Sequence, residues 1–481
     1  MLSNKMLNYL KFYFIILMVF TTTMFAQLPT AVEIAADMKI GWNIGNSLEV
    51  PSSETDWGNP KINQVLIDAV KAAGFNTVRI PCSWYSHSDS TTHIIDSTYI
   101  TRVAEVVDYC YANNMYVILN CHWDGGWLEN NVTTAKRDTV NKLQYIYWTQ
   151  IAEYFNKYDE HLLFASANEP NVDTYTQMAV LTTYHQTFID AVRATGGNNK
   201  TRTLVLQGPS TDIAKTFSMM NTLPVDSISS RLIVEVHYYT PYNFCLMTED
   251  ADWGKMVYFW GKNYHSTTNA ERNATKDEES IVEFNFEKMK TKFIDKGIPV
   301  IIGEYLAIKR TALTEPDLSL HIASRNYFLK YVTESALRHG IIPFYWDAGN
   351  NGNNGSALFN RNTGEIVDQS AIDSIMAGAA NVTTSVEGET RTETRSTIEY
   401  VKAVAQGSSS AALLLYLTKT ENADVAIYNI LGQRVAHFNN RYFYKGLNKM
   451  IISTGNLAAG TYIIGVKTGN KMLTNKFMIL H

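Results

Sequence analysis

Leu162-Leu163-Phe164-Ala165-Ser166-Ala167-Asn168-Glu169-Pro170 is an apolar run that ends abruptly in Asn-Glu-Pro. Such a run can be covered on both faces, as a strand of a parallel barrel would be, and Pro170 then stops ladder pairing. Glu169 therefore belongs at the C-terminal mouth of a strand. Pro299-Val300-Ile301-Ile302-Gly303-Glu304-Tyr305 repeats the design, with Glu304 directly after the apolar stretch. Two strand-end acids point to a working pair of carboxylates.

Working outward, the same alternation recurs along the chain. Strands are expected at 38–46, 77–81, 116–122, 162–169, 202–207, 232–239, 299–304 and 341–347. Helical spacing separates most of them: Ile62 to Ala73 with Gly74 as a C-cap, then 99–113, 136–156, 174–193, a weaker segment at 210–220, 281–296, 318–338 and a final stretch at 371–377. Strand and helix alternating eight times predict an α/β fold, a TIM (β/α)8 barrel over 30–380. From Asn381 to 397 the chain turns to Thr, Ser, Glu and Arg and reads as a linker. Period-two patterns through Val425 and Ile427, Tyr462 to Val466, and Phe477 and Ile479 then predict a small all-β sandwich over 398–481.

Barrels of this kind place their chemistry at the strand C-termini. Arg79 ends the second strand, His122 the third, Asn168 and Glu169 the fourth, His237 and Tyr239 the sixth, Glu304 the seventh and Trp346 the eighth. Side chains two apart share a strand face, so His237 and Tyr239 point to one site. Singly each has a structural explanation, but together they converge on one face. Two carboxyls flanking a bond suit glycoside hydrolysis, in which one donates a proton and the other attacks or stabilises the anomeric carbon. Arg79 near Glu304 would favour its charged form, and Tyr239 would orient it. Glu169, expected against an apolar wall, is the better proton donor, and Asn168 could hold the sugar 2-hydroxyl.

The chain has 481 residues, 46% of them hydrophobic and 12% aromatic, with a formal net charge of −5. A mildly acidic protein is a poor match for nucleic acid and a better one for a neutral substrate. Lys5, Lys11 and the apolar run Phe12 to Phe20 give residues 1–26 the pattern of a signal peptide. Cys82, Cys110, Cys121 and Cys245 match neither a zinc motif nor a dense disulfide framework, although export makes one bridge possible. His122 and His237 lack paired ligand spacing, so no metal and no cofactor are expected.

Gly41 to Glu49, Asp56 to Pro60, Thr77 to Pro81, Asn120 to Trp123, Asn168 to Pro170, His237 to Tyr239, Gly303-Glu304 and Phe344 to Trp346 together resemble glycoside hydrolase family 5. The first two blocks are similar to its subfamily 4. The resemblance implies a retaining endo-β-1,4-glucanase, with Glu169 as acid/base and Glu304 as nucleophile. It makes Arg79, His122, Asn168, His237 and Tyr239 supporting residues and Trp346 the platform under the sugar; Asn46, Trp57 and Trp123 are further candidate sugar contacts. Trp123 departs from relatives that carry a second histidine there; with Trp57, Trp127, Trp253 and Trp260 it lies in a strand-end loop, where any one of these could stack on a sugar but is expected to pack. Xyloglucan, mixed-linkage glucan, xylan and mannan remain alternative substrates, and a non-catalytic surface glycan-binding protein is the rival class.

The tail, with Val425 to Val435, Gly446-Leu447-Asn448 and Leu457 to Tyr462, resembles the sorting domain of the type IX secretion system. It implies passage to the cell surface or medium by that machinery, often with removal of the domain, and the protein is expected to be a monomer. A carbohydrate-binding module is disfavoured because Tyr442, Phe443 and Tyr444 are consecutive.

Overall fold

Parallel pairing of each strand with its neighbours closes the N-terminal unit into an eight-stranded barrel in the order β1 to β8. The computed structural model describes residues 29–387, 398–405, 410–417, 420–430, 433–444, 446–468 and 471–479. The expected signal peptide, residues 388–397 of the expected linker and the turn at Leu431-Gly432 lie outside them. The chain divides after Val386 into two compact units.

The barrel strands are β1 (Gly41–Ile44), β2 (Thr77–Ile80), β3 (Tyr116–Asn120), β4 (Leu162–Ala165), β5 (Leu204–Gln207), β6 (Leu232–Tyr238), β7 (Val300–Tyr305) and β8 (Ile341–Asp347). Around them run α1 (Ala31–Asp37), α2 (Gln64–Ala72), α3 (Ser97–Tyr111), α4 (Arg137–Tyr154), α5 (Tyr175–Ala194), α6 (Ile213–Met219), α7 (Tyr242–Cys245), α8 (Glu279–Lys292), α9 (Asp317–Arg338) and α10 (Gln369–Glu387). The eight expected strands are all present. Helix α10 continues through Asn381 to Glu387, over the start of the expected linker. Adding a residue to an existing helix gains a hydrogen bond without the cost of nucleation, so the Ala-rich turns before Asn381 carry weaker helix formers onward.

Helix α1 was not foreseen, and it closes the barrel floor. Thr30 Oγ1 accepts the Glu33 N–H while Glu33 Oε2 accepts the Thr30 N–H, a capping box that starts the helix. Ala31, Ile34, Ala35 and Met38 then pack against Ile118, Leu163, Val205, Ile233, Ile301, Ile342 and Phe344 from the strands. Gly41 belongs to this layer because a Cβ there would lie 2.0 Å from the Phe344 ring. The lower barrel is thus a largely apolar plug. All four cysteines are buried free thiols.

In the C-terminal unit β9 (Ile398–Ala405), β10 (Ser410–Leu417) and β13 (Gly446–Ser453) form one antiparallel sheet. The second sheet comprises β11 (Glu421–Asn429), β12 (Arg434–Phe443), β14 (Gly460–Thr468) and β15 (Lys471–Ile479). Leu413, Leu415 and Leu417 meet Val425, Ile427, Ile464, Val466 and Ile479 in one core, as period-two burial requires. Phe443 turns inward while Tyr442 and Tyr444 stand exposed with rings at 90°, which is not a flat sugar platform.

Ile34→Ala should lower the unfolding free energy of the barrel by about 2–5 kcal/mol, the usual cost of emptying a packed site. Denaturant titration of the purified protein checks this. Activity below the transition should be unchanged, because Ile34 lies at the end opposite the C-termini of the strands.

Candidate active site

Above the apolar plug the strand register brings a layer of polar side chains to the barrel axis. Asn43 on β1 is paired with Arg79 on β2, and Gln207 on β5 with Glu235 on β6. Arg79 is fully buried, and a guanidinium removed from water is tolerated only when its donors are matched. Its Nη1 donates to Glu304 Oε1 and to Asn43 Oδ1, both at 3.0 Å, and its Nη2 donates to Asn168 Oδ1 at 2.7 Å. Its Nε lies 3.0 Å from Glu235 Oε1. Gly303 makes room for this, since a Cβ there would lie 1.9 Å from Glu235 Oε1.

Irregular register in β6 and β7 sets the geometry around Glu304. Between Val236 and His237, and again between Ile302 and Tyr305, the pairing slips, so that His237 faces Glu304. Such bulges redirect side chains beside active sites. Tyr239 then donates to Glu304 Oε2 at 2.7 Å. Burial, then the Glu304 charge, raises the Tyr239 hydroxyl well above its ordinary value, so it remains a donor.

Glu169 does not face an apolar wall, which corrects the expectation from sequence. Its Oε1 lies 2.7 Å from His237 Nδ1, and its backbone N–H donates to Glu129 Oε1. Burial alone would raise the Glu169 carboxyl, but the His237 hydrogen bond and charge, with Arg79 behind them, hold it below its ordinary value. Burial likewise opposes charge on His237, yet the surrounding Glu304, Glu169 and Glu235 carboxylates push it up to about 10. The proton available to Glu169 therefore rests on the neighbouring ring. Atoms of Glu169, His237 and Glu304 lie within 4.8 Å of one another. That spacing would also admit a cation, but both His237 nitrogens already face carboxylates and Arg79 supplies the positive charge.

The remaining expected residues surround this centre. His122 stacks parallel to Trp346, with ring centroids 5.7 Å apart and planes at 10°. Burial, then the charges of Arg79 and His237, holds His122 well below its ordinary value, so the ring is neutral. Asn120 Oδ1 accepts the Cys82 N–H, which turns its Nδ2 toward His122 Nδ1 at 3.1 Å and leaves the ring proton on Nε2. Asn46 sits at φ 57° after β1, held by Glu49, with its carbonyl accepting from Asn59. Trp57, Trp123 and Trp253 stand exposed in loops following β1, β3 and β6, while Trp127 and Trp260 are buried packing residues.

Residues 43–352 match the cellulase family, glycosyl hydrolase family 5. The chain belongs to that family. It is 37% identical over 367 residues to the xyloglucan-specific endo-β-1,4-glucanase of Bacteroides ovatus, covering 73% of this chain and 70% of that one. Among solved structures, a family 5 xyloglucan-specific β-1,4-glucanase from a ruminal metagenomic library superposes with a TM-score of 0.68 at 42% identity, covering 73% of this chain and 96% of that one. A broad-specificity endoglucanase from Bacteroides salanitronis gives 0.65 at 38% identity, covering 73% and 95%. Residues 411–480 match a secretion system C-terminal sorting domain, so this family 5 enzyme is exported or held at the cell surface.

Sequence reasoning passed over Glu235, Gln207 and Glu129 in the family 5 barrel. The signal for Glu235 was present: it lies two residues before His237 in an otherwise apolar strand, on the face already assigned to His237 and Tyr239. Glu129 had no such signal, because it reaches the site from a short turn beyond β3.

Burial, with repulsion from Glu169 and Glu304, raises the Glu129 carboxyl to about 7. A raised acid binds more protons folded than unfolded between pH 4.5 and 7, so it costs stability as pH rises through that window. Glu129→Gln removes the titration. Its stability relative to the parent protein should therefore improve from pH 5 to pH 8, by on the order of 2–3 kcal/mol, as measured by denaturant unfolding at each pH.

Proposed function

We propose that the enzyme is a retaining endo-β-1,4-glucanase, with Glu304 as nucleophile and Glu169 as acid/base. The observation that carries this is the approach of the two carboxyls: atoms of Glu169 and Glu304 come within 4.8 Å. Retaining enzymes hold theirs roughly 5–5.5 Å apart, whereas inverting enzymes leave about 6.5–9.5 Å for a water. Arg79 and Tyr239 hold Glu304 as an oriented anion aimed at the anomeric carbon. The His237 proton passes to Glu169 and on to the departing glycosidic oxygen as Glu304 bonds to the sugar. Glu169, again a carboxylate, then takes a proton from the water that cleaves the glycosyl-enzyme.

Substrate contacts follow from the donors left facing the cleft. Asn168 has its Oδ1 occupied by Arg79 and its amide beside Glu129, which leaves one N–H for the sugar 2-hydroxyl. His122 offers Nε2–H, and Trp346 an apolar face beneath the ring. Trp57, Trp123 and Trp253 extend the surface for further glucose units. A branched backbone, xyloglucan, is the second reading, favoured because relatives at 37% and 42% identity are named for that polymer. Export by type IX machinery suits a substrate too large to enter the cell.

Glu304→Gln should retain less than about one per cent of activity, a loss exceeding ~2.7 kcal/mol of barrier stabilisation. Glu169→Ala should lose most activity on polymers but retain more on dinitrophenyl β-cellobioside, whose leaving group needs no proton. Initial rates and product lengths on carboxymethyl cellulose, mixed-linkage glucan, xyloglucan, xylan and glucomannan test the substrate. Internal cleavage of β-1,4-glucans, xyloglucan included, is expected. Activity confined to xylan or mannan, or none on any polymer, would contradict the reading.

A further inference from the structure

Glu235 forms the floor of the site and is fully buried, out of reach of a sugar. Its Oε1 meets Arg79 Nε at 3.0 Å and His237 Nε2 at 3.1 Å. Its Oε2 accepts from Gln207 Nε2 at 2.6 Å. Gln207 Oε1 in turn accepts the N–H of Ala167 at 2.8 Å, two residues before Glu169. Glu235 is therefore tied to the backbone that carries the acid/base as well as to the ring that touches it.

His237 has a carboxylate oxygen at each nitrogen, Glu235 at Nε2 and Glu169 at Nδ1. An ionised carboxylate only accepts hydrogen bonds, and a neutral imidazole has a single N–H. This row of three groups is fully paired only when it holds one proton more than the neutral ring provides. We infer that Glu235 is a positioning residue for Glu169: by fixing Nε2–H of His237 downward, it holds the transferable proton at Nδ1, one short step from Glu169 Oε1. The inference rests on Glu169 being the proton donor. When the proton crosses, Nδ1 keeps a lone pair, Glu169 becomes a neutral acid, and Nε2–H still donates to Glu235.

Groups from every neighbouring strand act on this proton. Arg79 from β2 and His122 beyond β3 face it, as do Glu129 from the following turn, Tyr239 at the end of β6 and Glu304 from β7. Burial opposes a charged ring, while the Glu304, Glu169 and Glu235 carboxylates favour it and outweigh that cost. Neutralising Glu235 removes one of those three and loosens the hold on the proton. Glu304 and its two donors are left in place, so the effect falls on the acid/base side of the reaction.

The test is E235Q in the full-length enzyme, with kcat/KM followed against pH on a soluble β-1,4-glucan and on dinitrophenyl β-cellobioside. The alkaline limb, which reports loss of the shared proton, should move down by about one pH unit or more. The loss of rate on the polymer should exceed that on the dinitrophenyl substrate by at least about tenfold. An unmoved alkaline limb, or equal losses on both substrates, would overturn the inference and leave Glu235 a purely structural residue. A readout independent of substrate is the 15N-labelled histidine spectrum of the unmutated enzyme, in which His237 should remain doubly protonated above pH 8. A ring that titrates below pH 7 would overturn the inference even if E235Q failed to fold. Absence of β-glucan cleavage by the unmutated enzyme would instead count against the proposed function, and the histidine spectrum separates the two failures.

Discussion

One buried guanidinium sets the terms for the upper half of the barrel. Arg79 carries a charge that water cannot reach, and every donor it directs inward must find an oxygen. Glu304, Asn43 and Asn168 accept from its two Nη groups, while Glu235 faces Nε as an ion pair at 3.0 Å. Meeting that requirement also fixes the Glu304 carboxylate and Asn168 beside Glu169. Removing Arg79 would leave Glu235 without its cationic partner in a site that excludes water. The arrangement that satisfies the charge is the same arrangement that aims the chemistry.

The two ends of the barrel separate structural and chemical tasks. Below, Phe344 fills the space over Gly41 while α1 closes the floor with Ile34 and Met38, so stability there comes from apolar packing. Above, Gly303 yields its side-chain volume to Glu235, and slipped register brings Glu304 opposite His237. Two glycines thus do opposite work, one admitting a ring and the other a carboxylate. The C-terminal unit has its own core, built from period-two burial on two antiparallel sheets, and its match is to a sorting domain rather than to a catalytic one.

Much of this was readable from the chain because barrel strands announce themselves as apolar runs and the candidate site residues follow at their ends. Arg79, Glu169, His237, Tyr239 and Glu304 were found that way, and the structure brings them together. Helix α1 was missed because a seven-residue segment shows too little periodicity to separate it from a loop. The ionic environment of Glu169 was misjudged for a different reason. Its neighbours His237 and Glu129 are distant in sequence, so only the closed barrel reveals that the Glu169 carboxyl sits against an imidazole rather than an apolar wall. Trp127 and Trp260 are buried packing residues, as expected, while Trp57, Trp123 and Trp253 are exposed, a division set by loop paths that composition does not encode.

The central claim is that the barrel holds two carboxyls close enough for one to bond directly to the sugar while the other handles the proton. The configuration of the first-formed reducing end reports on that spacing more directly than any rate. Proton NMR of a cellooligosaccharide digest, recorded before mutarotation, should show the β-anomer appearing first and the α-anomer growing only later. First appearance of the α-anomer would mean that water attacks without a glycosyl-enzyme, and the account of Glu304 as nucleophile would fail.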